Sequence, residues 1–426
     1  MPYAALDPFA LIGYTLFFIA VTLLTMRRPA FGLCALIAVQ PFAYYHELFD
    51  TTITLEKIAL FGVLLGVLVY ADAFSPVAER VPKRILYAGL FVLLATLLSF
   101  AQAAYHAPAI REALKALEYV VLFCVCVAAF RLDPDRSALR AAFLIVPCVV
   151  AAIALAQEVA GAPSALLLNG HVTPRIAGPL EGPNQLAGYF DVALPVVLAL
   201  ALQAPTRVSL FVLAAIACTD VLTFSRGGAL GAVAGVLSGW FLSQRRAAAA
   251  AAAIACGALA GVGIAAGWGI AAHSLGIFRL WNFESTYAGG VGTRPKLWHA
   301  AIALWQQHPL LGIGAGNFEL EIPRTGLYGI RTHANSLYLQ SLVEGGIPLL
   351  AATLWLTYVS IAAFIRQRLE SPFVVAAAAA SIALALHQTV DFLTVYPKVG
   401  GEWWILMAVA AAELAIPARV KAAACA

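Results

Sequence analysis

Apolar runs long enough to cross a bilayer follow one another along almost the whole chain, and this repetition limits the fold more than any other feature. The runs fall at about 8–26, 30–47, 55–72, 85–104, 112–130, 138–160, 185–203, 206–224, 228–243, 247–272, 347–365, 372–394 and 402–417. A hydrocarbon core of ~30 Å takes about 20 helical residues. Inside it every backbone amide and carbonyl must be paired within the protein. Barrel strands would alternate apolar and polar residues, and these runs do not. Charge content agrees: 11% of residues are charged, against about 25% in a soluble domain. The expectation is an all-α polytopic membrane protein with about 12 (12–13) transmembrane helices, the shorter runs pairing or re-entering.

The basic residues sort by side. Alternate connections hold Arg27, Arg28, Arg80, Lys83, Arg84, Arg131, Arg136, Arg140, Arg207, Arg245, Arg246, Arg366, Arg368, Arg419 and Lys421, which are 15 of the 26 Lys and Arg. The positive-inside rule makes that side cytoplasmic. The loop 161–184 and the long interval from His273 then face outward. Residues 1–272 read as a helix bundle, 273–346 as an outward loop region with short helices, and 347–426 as C-terminal spans. No removable signal peptide is expected, since Met1–Asp7 carries no basic segment. The seven cysteines, six of them in apolar segments, fit no metal spacing and read as small core residues. Gly227, Gly231, Gly235 and Gly239 recur every four residues, a smooth stripe against which another helix packs closely.

Four outward stretches carry chemistry. The first is His333, with Asn335 to Glu344 read as a helix and Gly345-Gly346-Ile347-Pro348 as its break; a single helix over 334–365 would be about 48 Å long at ~1.5 Å per residue, too long for the bilayer. On that helix Ser336, Gln340 and Glu344 share a face with His333, read either as a site or as an ordinary wet face. The second is Gly292-Thr293-Arg294-Pro295-Lys296, where Pro295 suits a first helical turn and Arg294 an anion-attracting N-terminus. The third is Ser225-Arg226-Gly227, an arginine so close to hydrocarbon that it must snorkel or find a partner. The fourth is Arg175 to Gln185, a Gly/Pro loop in which Asn184 is expected to cap the next span. Arg331 adds another outward cation. Gly312-x-Gly314-x-Gly316 lacks any strand around it and reads as a turn, not a dinucleotide loop. The few outward acids, Asp391 among them, show no Asp-x-Asp pair. Arginines rather than a divalent metal are therefore expected to neutralise an anionic substrate, with no cofactor and no nucleic-acid partner.

Together, Arg175–Gln185, Ser225-Arg226-Gly227-Gly228, the run from Gly292 through Trp298 to Gly316-Asn317-Phe318, and Thr332–Gly346 resemble the O-antigen ligase and polymerase superfamily of bacterial envelope glycosyltransferases. The family signature is a histidine, then Asn, Ser or Gln, then nine residues, then a glycine. Counted back from Gly346, that position holds Asn335, followed by Ser336, and the histidine present is His333.

The resemblance implies a glycan donor on undecaprenyl diphosphate at the periplasmic face of the inner membrane. The ligase branch transfers it to the lipid A-core oligosaccharide, and the polymerase branch to another repeat unit. In this reading Arg226 and Arg294 hold the diphosphate, and His333 accepts the proton of the acceptor hydroxyl. Arg175, Asn184, Lys296, Arg331, Asn335, Ser336 and Gln340 contact substrate, and the anomeric centre inverts. The rival class is a flippase or transporter for the same lipid-linked glycan, which would place its polar groups at the bilayer midplane.

Overall fold

The computed structural model describes residues 8–42, 45–48, 51–70, 83–161, 164–168, 171–243, 248–267, 294–365 and 371–414. The long helices of the first half are α1 (Pro8–Arg27), α2 (Pro29–Val39), α3 (Leu55–Tyr70), α4 (Lys83–Leu98), α5 (His106–Leu132), α6 (Arg136–Ala160), α7 (Pro183–Gln203) and α8 (Arg207–Leu222). The second half has α9 (Arg226–Ser243), α10 (Ala248–Gly267), α11 (Arg294–Gln307), the one-turn α12 (Phe318–Glu321), α13 (Leu337–Ile365), α14 (Pro372–His387) and α15 (Pro397–Leu414). Each apolar run lies at least partly on one of them. Among the described residues six helices are long and apolar enough to cross a membrane: α1, α4 with the turn that follows it, α5, α6, α7 and α13; α2, α10 and α14 are shorter apolar helices. The helical, multi-pass class stands, while the number of crossings expected from sequence is larger than these helices alone establish. The expected loop residues 273–293, Arg279 among them, lie outside the described residues.

Two hairpins were not expected. Tyr45–Leu48 (β1) pairs antiparallel with Thr51–Thr54 (β2), and Ser164–Leu168 (β3) with His171–Arg175 (β4). The second occupies the interval read as the loop 161–184. Strands of four or five residues are too short for alternation to stand out from the surrounding apolar sequence.

The connections gather at two ends. Arg28 Nε donates to Asp133 Oδ2 at 2.7 Å, Arg136 pairs with Glu413, and Arg140 donates to Gln203 Oε1 at 2.8 Å. These contacts tie together the α1–α2 and α5–α6 turns and the ends of α7 and α15. At the other end of α5, the Tyr105 amide donates to Asn317 Oδ1 at 2.8 Å. There too Gln40 Nε2 donates to the Pro397 carbonyl at 2.7 Å and Lys398 Nζ to the Pro179 carbonyl at 2.6 Å. Among the described residues, Arg28, Arg136 and Arg140, expected inside, and Pro179 and Asn317, expected outside, therefore lie at opposite ends of the helices.

At the centre, α7 is buried along almost its whole length, and α14 buries Phe373 to Ala380 without interruption. The glycine stripe of α9 explains how the helices approach one another. Gly235 lies against Pro195 of α7 and Ala383 of α14, and Gly239 against Leu198 and Ala379. Without a hydrophobic drive between helices in lipid, such close approach supplies the packing energy.

The break in α13 falls where the glycine pair and proline indicated. Gly346 has φ 62°, ψ −156°, a region that essentially only glycine occupies. The turn Gly312–Asn317 docks there, with Ile313 N donating to Val343 O at 2.9 Å and Gly314 N to Glu344 O at 3.0 Å. A Cβ on Gly346 would stand 2.2 Å from the Leu310 carbonyl oxygen. Gly346→Ala is expected to destabilise the protein by about 1–3 kcal/mol from backbone strain alone. It should appear as a lower unfolding temperature and reduced membrane abundance.

Candidate active site

The turn after α14 organises the end of the helices that carries Tyr105, Pro179 and Asn317. The Leu337 amide, at the start of α13, is shared between Gln388 O at 2.9 Å and Asp391 O at 3.0 Å. Gln388 Oε1 accepts from Thr394 N at 3.0 Å and Thr394 Oγ1 at 2.8 Å, closing the turn on itself. Asp391 Oδ1 accepts from its neighbour Phe392 N at 2.8 Å. Its other oxygen, Oδ2, accepts from Asn184 Nδ2 at 2.8 Å and from Arg294 at 3.4 Å. Both partners of the Arg294–Asp391 pair are withdrawn from water, with side chains 13% and 7% exposed. Burial lowers the Arg294 pKa and Asp391 opposes it; an arginine stays charged through such shifts. Arg294 is the first residue of α11, as its Pro295 neighbour indicated. Its Nε has no hydrogen-bond partner among the described residues. Arg226 lies near enough for the two guanidinium groups to repel each other.

Arg175 corrects the sequence reading. It is buried, donating through Nε to Thr223 O at 2.7 Å and through Nη2 to Asn184 Oδ1 at 2.8 Å. It therefore braces the turn before Arg226, where Phe224 takes φ 51°. Asn184 does not cap α7. That helix has Gly182 at its N-cap without a side-chain bond, and the Asn184 amide bridges Arg175 to Asp391.

His333 lies next to the same turn. Its ring stands edge-on to Phe392 at 5.2 Å and to Tyr396 at 6.3 Å between centroids. Nδ1 is buried without a hydrogen bond among the described residues and faces Glu319 Oε1 at 3.7 Å. Burial pushes the His333 pKa below its ordinary value, against the upward pull of Glu319. His333 precedes the helix: α13 starts at Leu337, and half-buried Asn335 has φ 50°. The four residues expected on one wet face thus divide differently. Ser336, Gln340 and Glu344 are buried. Gln340 accepts from Ala334 N at 2.7 Å and donates to Glu344 at 2.8 Å, and Glu344 accepts from Phe318 N at 3.2 Å. The docked glycine turn covers this face, so its polar groups satisfy one another. Lys296 and Arg331 are exposed and stand outside this network.

A cavity opens beside these residues. It is bounded near the site by Gln340, Gln388 and Phe392, and farther along by Leu349, Leu356, Leu384 and Trp404. Among the described residues no three His, Cys, Asp or Glu side chains gather at metal-ligand spacing.

Sequence reasoning missed the structural role of Asp391 and the closeness of Glu319 to His333. An acid in a short turn that follows an outward-ending span was the available signal for Asp391. Nothing local marked Glu319, which reaches His333 only through the fold of the loop between them.

Residues 210–354 match a family model described as O-antigen ligase. The match bears out the resemblance to that superfamily and takes in Arg226, Arg294, Glu319 and His333. It leaves outside it Arg175, Asn184 and Asp391, which the fold nevertheless brings to the same place. No curated protein matches the chain in sequence.

Proposed function

We propose, from the O-antigen ligase family match across residues 210–354, that this protein is a ligase. It transfers a glycan from undecaprenyl diphosphate to the lipid A-core oligosaccharide at the periplasmic face of the inner membrane. One observation carries the reading. Arg294 pairs with the buried Asp391 of a turn whose next residue, Phe392, packs on the ring of His333, and Arg226 lies near enough to Arg294 for their charges to repel.

In this mechanism the acceptor hydroxyl oxygen attacks the anomeric carbon, and the bond from that carbon to the diphosphate oxygen breaks. The electron pair leaves with the diphosphate, and Arg226 and Arg294 stabilise the charge that builds there. The hydroxyl proton passes to His333. Its buried Nδ1 faces Glu319, which leaves Nε2 as the base. Attack opposite the leaving group inverts the anomeric centre. The apolar part of the cavity receives the first isoprenoid units of the donor. Asn335 and Ser336 hold the His333 segment, and Lys296 and Arg331 attract the anionic donor from outside.

The base must be neutral to work. Because burial holds His333 below the usual ~6.5 of a histidine, the rate is expected to persist below pH 6.5 and to fall only as a lower pKa is crossed. Glu319→Gln removes the carboxylate that pulls this pKa up, so the acidic limb should move lower still. A limb centred above pH 7 in the wild type would contradict the assignment.

The polymerase of the same superfamily is the nearest alternative. Deleting a ligase leaves long lipid-linked glycan that never reaches the core, whereas deleting a polymerase leaves single repeats attached to it. Single attached repeats in the deletion strain would replace the ligase reading with the polymerase one.

A further inference from the structure

Below the site lies a polar pair that the mechanism does not use. His387 Nδ1 and Asp191 Oδ2 are 2.5 Å apart, with side chains 0% and 1% exposed. Asp191 sits inside α7, and His387 is the last residue of α14. Such a pair is costly in a dry interior, and an apolar pair of the same volume is often no less stable. What the pair adds over an apolar filling is directional geometry.

Two residues of the Arg226 helix rest on it. A Cβ on Gly227 would stand 2.4 Å from His387 Cδ2 and 2.6 Å from Nε2. A Cβ on Gly231 would stand 2.2 Å from Asp191 Oδ1. These are the two side-chain atoms, Nε2 and Oδ1, that have no hydrogen-bond partner among the described residues. The first two glycines of the stripe are therefore flush against the pair, and any side chain there would lift or turn the helix that begins at Arg226. On the other side, the His387 carbonyl accepts from Val390 N at 3.1 Å, opening the turn that carries Asp391. That turn holds Arg294.

We infer that the Asp191–His387 pair is a positioning device: it seats the Arg226 helix and the Asp391 turn in one fixed relation, so that the guanidinium groups of Arg226 and Arg294 meet the donor diphosphate together. The inference rests on the diphosphate site proposed above. Asp191 and His387 touch no substrate in it and act through Arg226 and Arg294.

The test is binding of inorganic pyrophosphate to the purified full-length protein in detergent, measured by calorimetry beside each variant's unfolding temperature. Asp191→Ala and His387→Ala are expected to weaken binding at least about tenfold, since displacing a binding group by an ångström carries penalties of that order or more. Asp191→Asn keeps the shape and a hydrogen bond to the imidazole, and should bind close to wild type. Gly231→Ala leaves the pair chemically intact but displaces the helix; it should lose affinity like Asp191→Ala, and it serves if the latter does not fold. Wild-type affinity in Asp191→Ala or in Gly231→Ala would overturn the inference. So would a loss in Asp191→Asn as large as in Asp191→Ala, because charge rather than seating would then matter. A wild-type protein that binds no pyrophosphate would instead count against the diphosphate site itself.

Discussion

Replacing His333 with alanine is expected to abolish glycan transfer while leaving the protein folded in the membrane. The expected fall in turnover is about 10²–10⁴-fold, the usual contribution of a general base. The fold should tolerate the change because, among the described residues, the ring makes no hydrogen bond through Nδ1 and touches its neighbours Phe392 and Tyr396 edge-on. The loop around it is held by other groups, notably the Ala334 amide on Gln340. Pyrophosphate affinity should be unchanged, since in the proposed mechanism His333 acts on the acceptor rather than on the leaving group. Transfer rate and membrane abundance measured on the same preparations separate loss of chemistry from loss of protein. Transfer at the wild-type rate would remove His333 from the mechanism.

Arg294→Lys should cost nearly as much, by a different route. Lysine preserves the charge but not the planar fork of donors that grips a diphosphate. Losing one such stabilising donor typically costs about 10²–10³-fold in turnover. Lysine is the informative replacement because alanine would strand the buried Asp391 carboxylate. Breaking a buried ion pair from one side costs roughly 3–5 kcal/mol, so a loss of activity in Arg294→Ala would mix catalysis with stability. Weakened pyrophosphate binding should accompany the slower transfer in Arg294→Lys. A variant that transfers and binds as wild type would show that Arg294 serves only to hold Asp391.

The fold class was legible because hydrocarbon imposes so narrow a menu. Runs of apolar residues, basic turns on one side and a Gly-Gly-Ile-Pro break all translate directly into helices, ends and a kink. Short hairpins such as Tyr45–Thr54 were invisible, because pairing of two four-residue strands is decided by what surrounds them rather than by their own pattern. Within the site, Arg226, Arg294 and His333 stood out because cations and imidazoles are scarce in such a chain. Their partners did not. Asn184 resembled a helix cap and Arg175 an outward cation, yet the half-buried Asn184 and the buried Arg175 are links to Asp391 and to the Thr223 carbonyl. Asp391 is 97 residues from Arg294 in sequence, and Asp191 is 196 from His387. Contacts across such separations follow from the packing of α7, α9 and α14, which periodicity in any one helix does not reveal.

Reconstituted transfer tests the central claim most directly. The purified protein in detergent is mixed with glycan on undecaprenyl diphosphate and a lipid A-core acceptor, and the joined product and its anomeric configuration are measured. The account predicts glycosylated acceptor with the anomeric centre inverted, formed without a sealed membrane and lost in His333→Ala. No product in detergent, alongside movement of the lipid-linked glycan across sealed vesicles, would contradict it and identify a transporter.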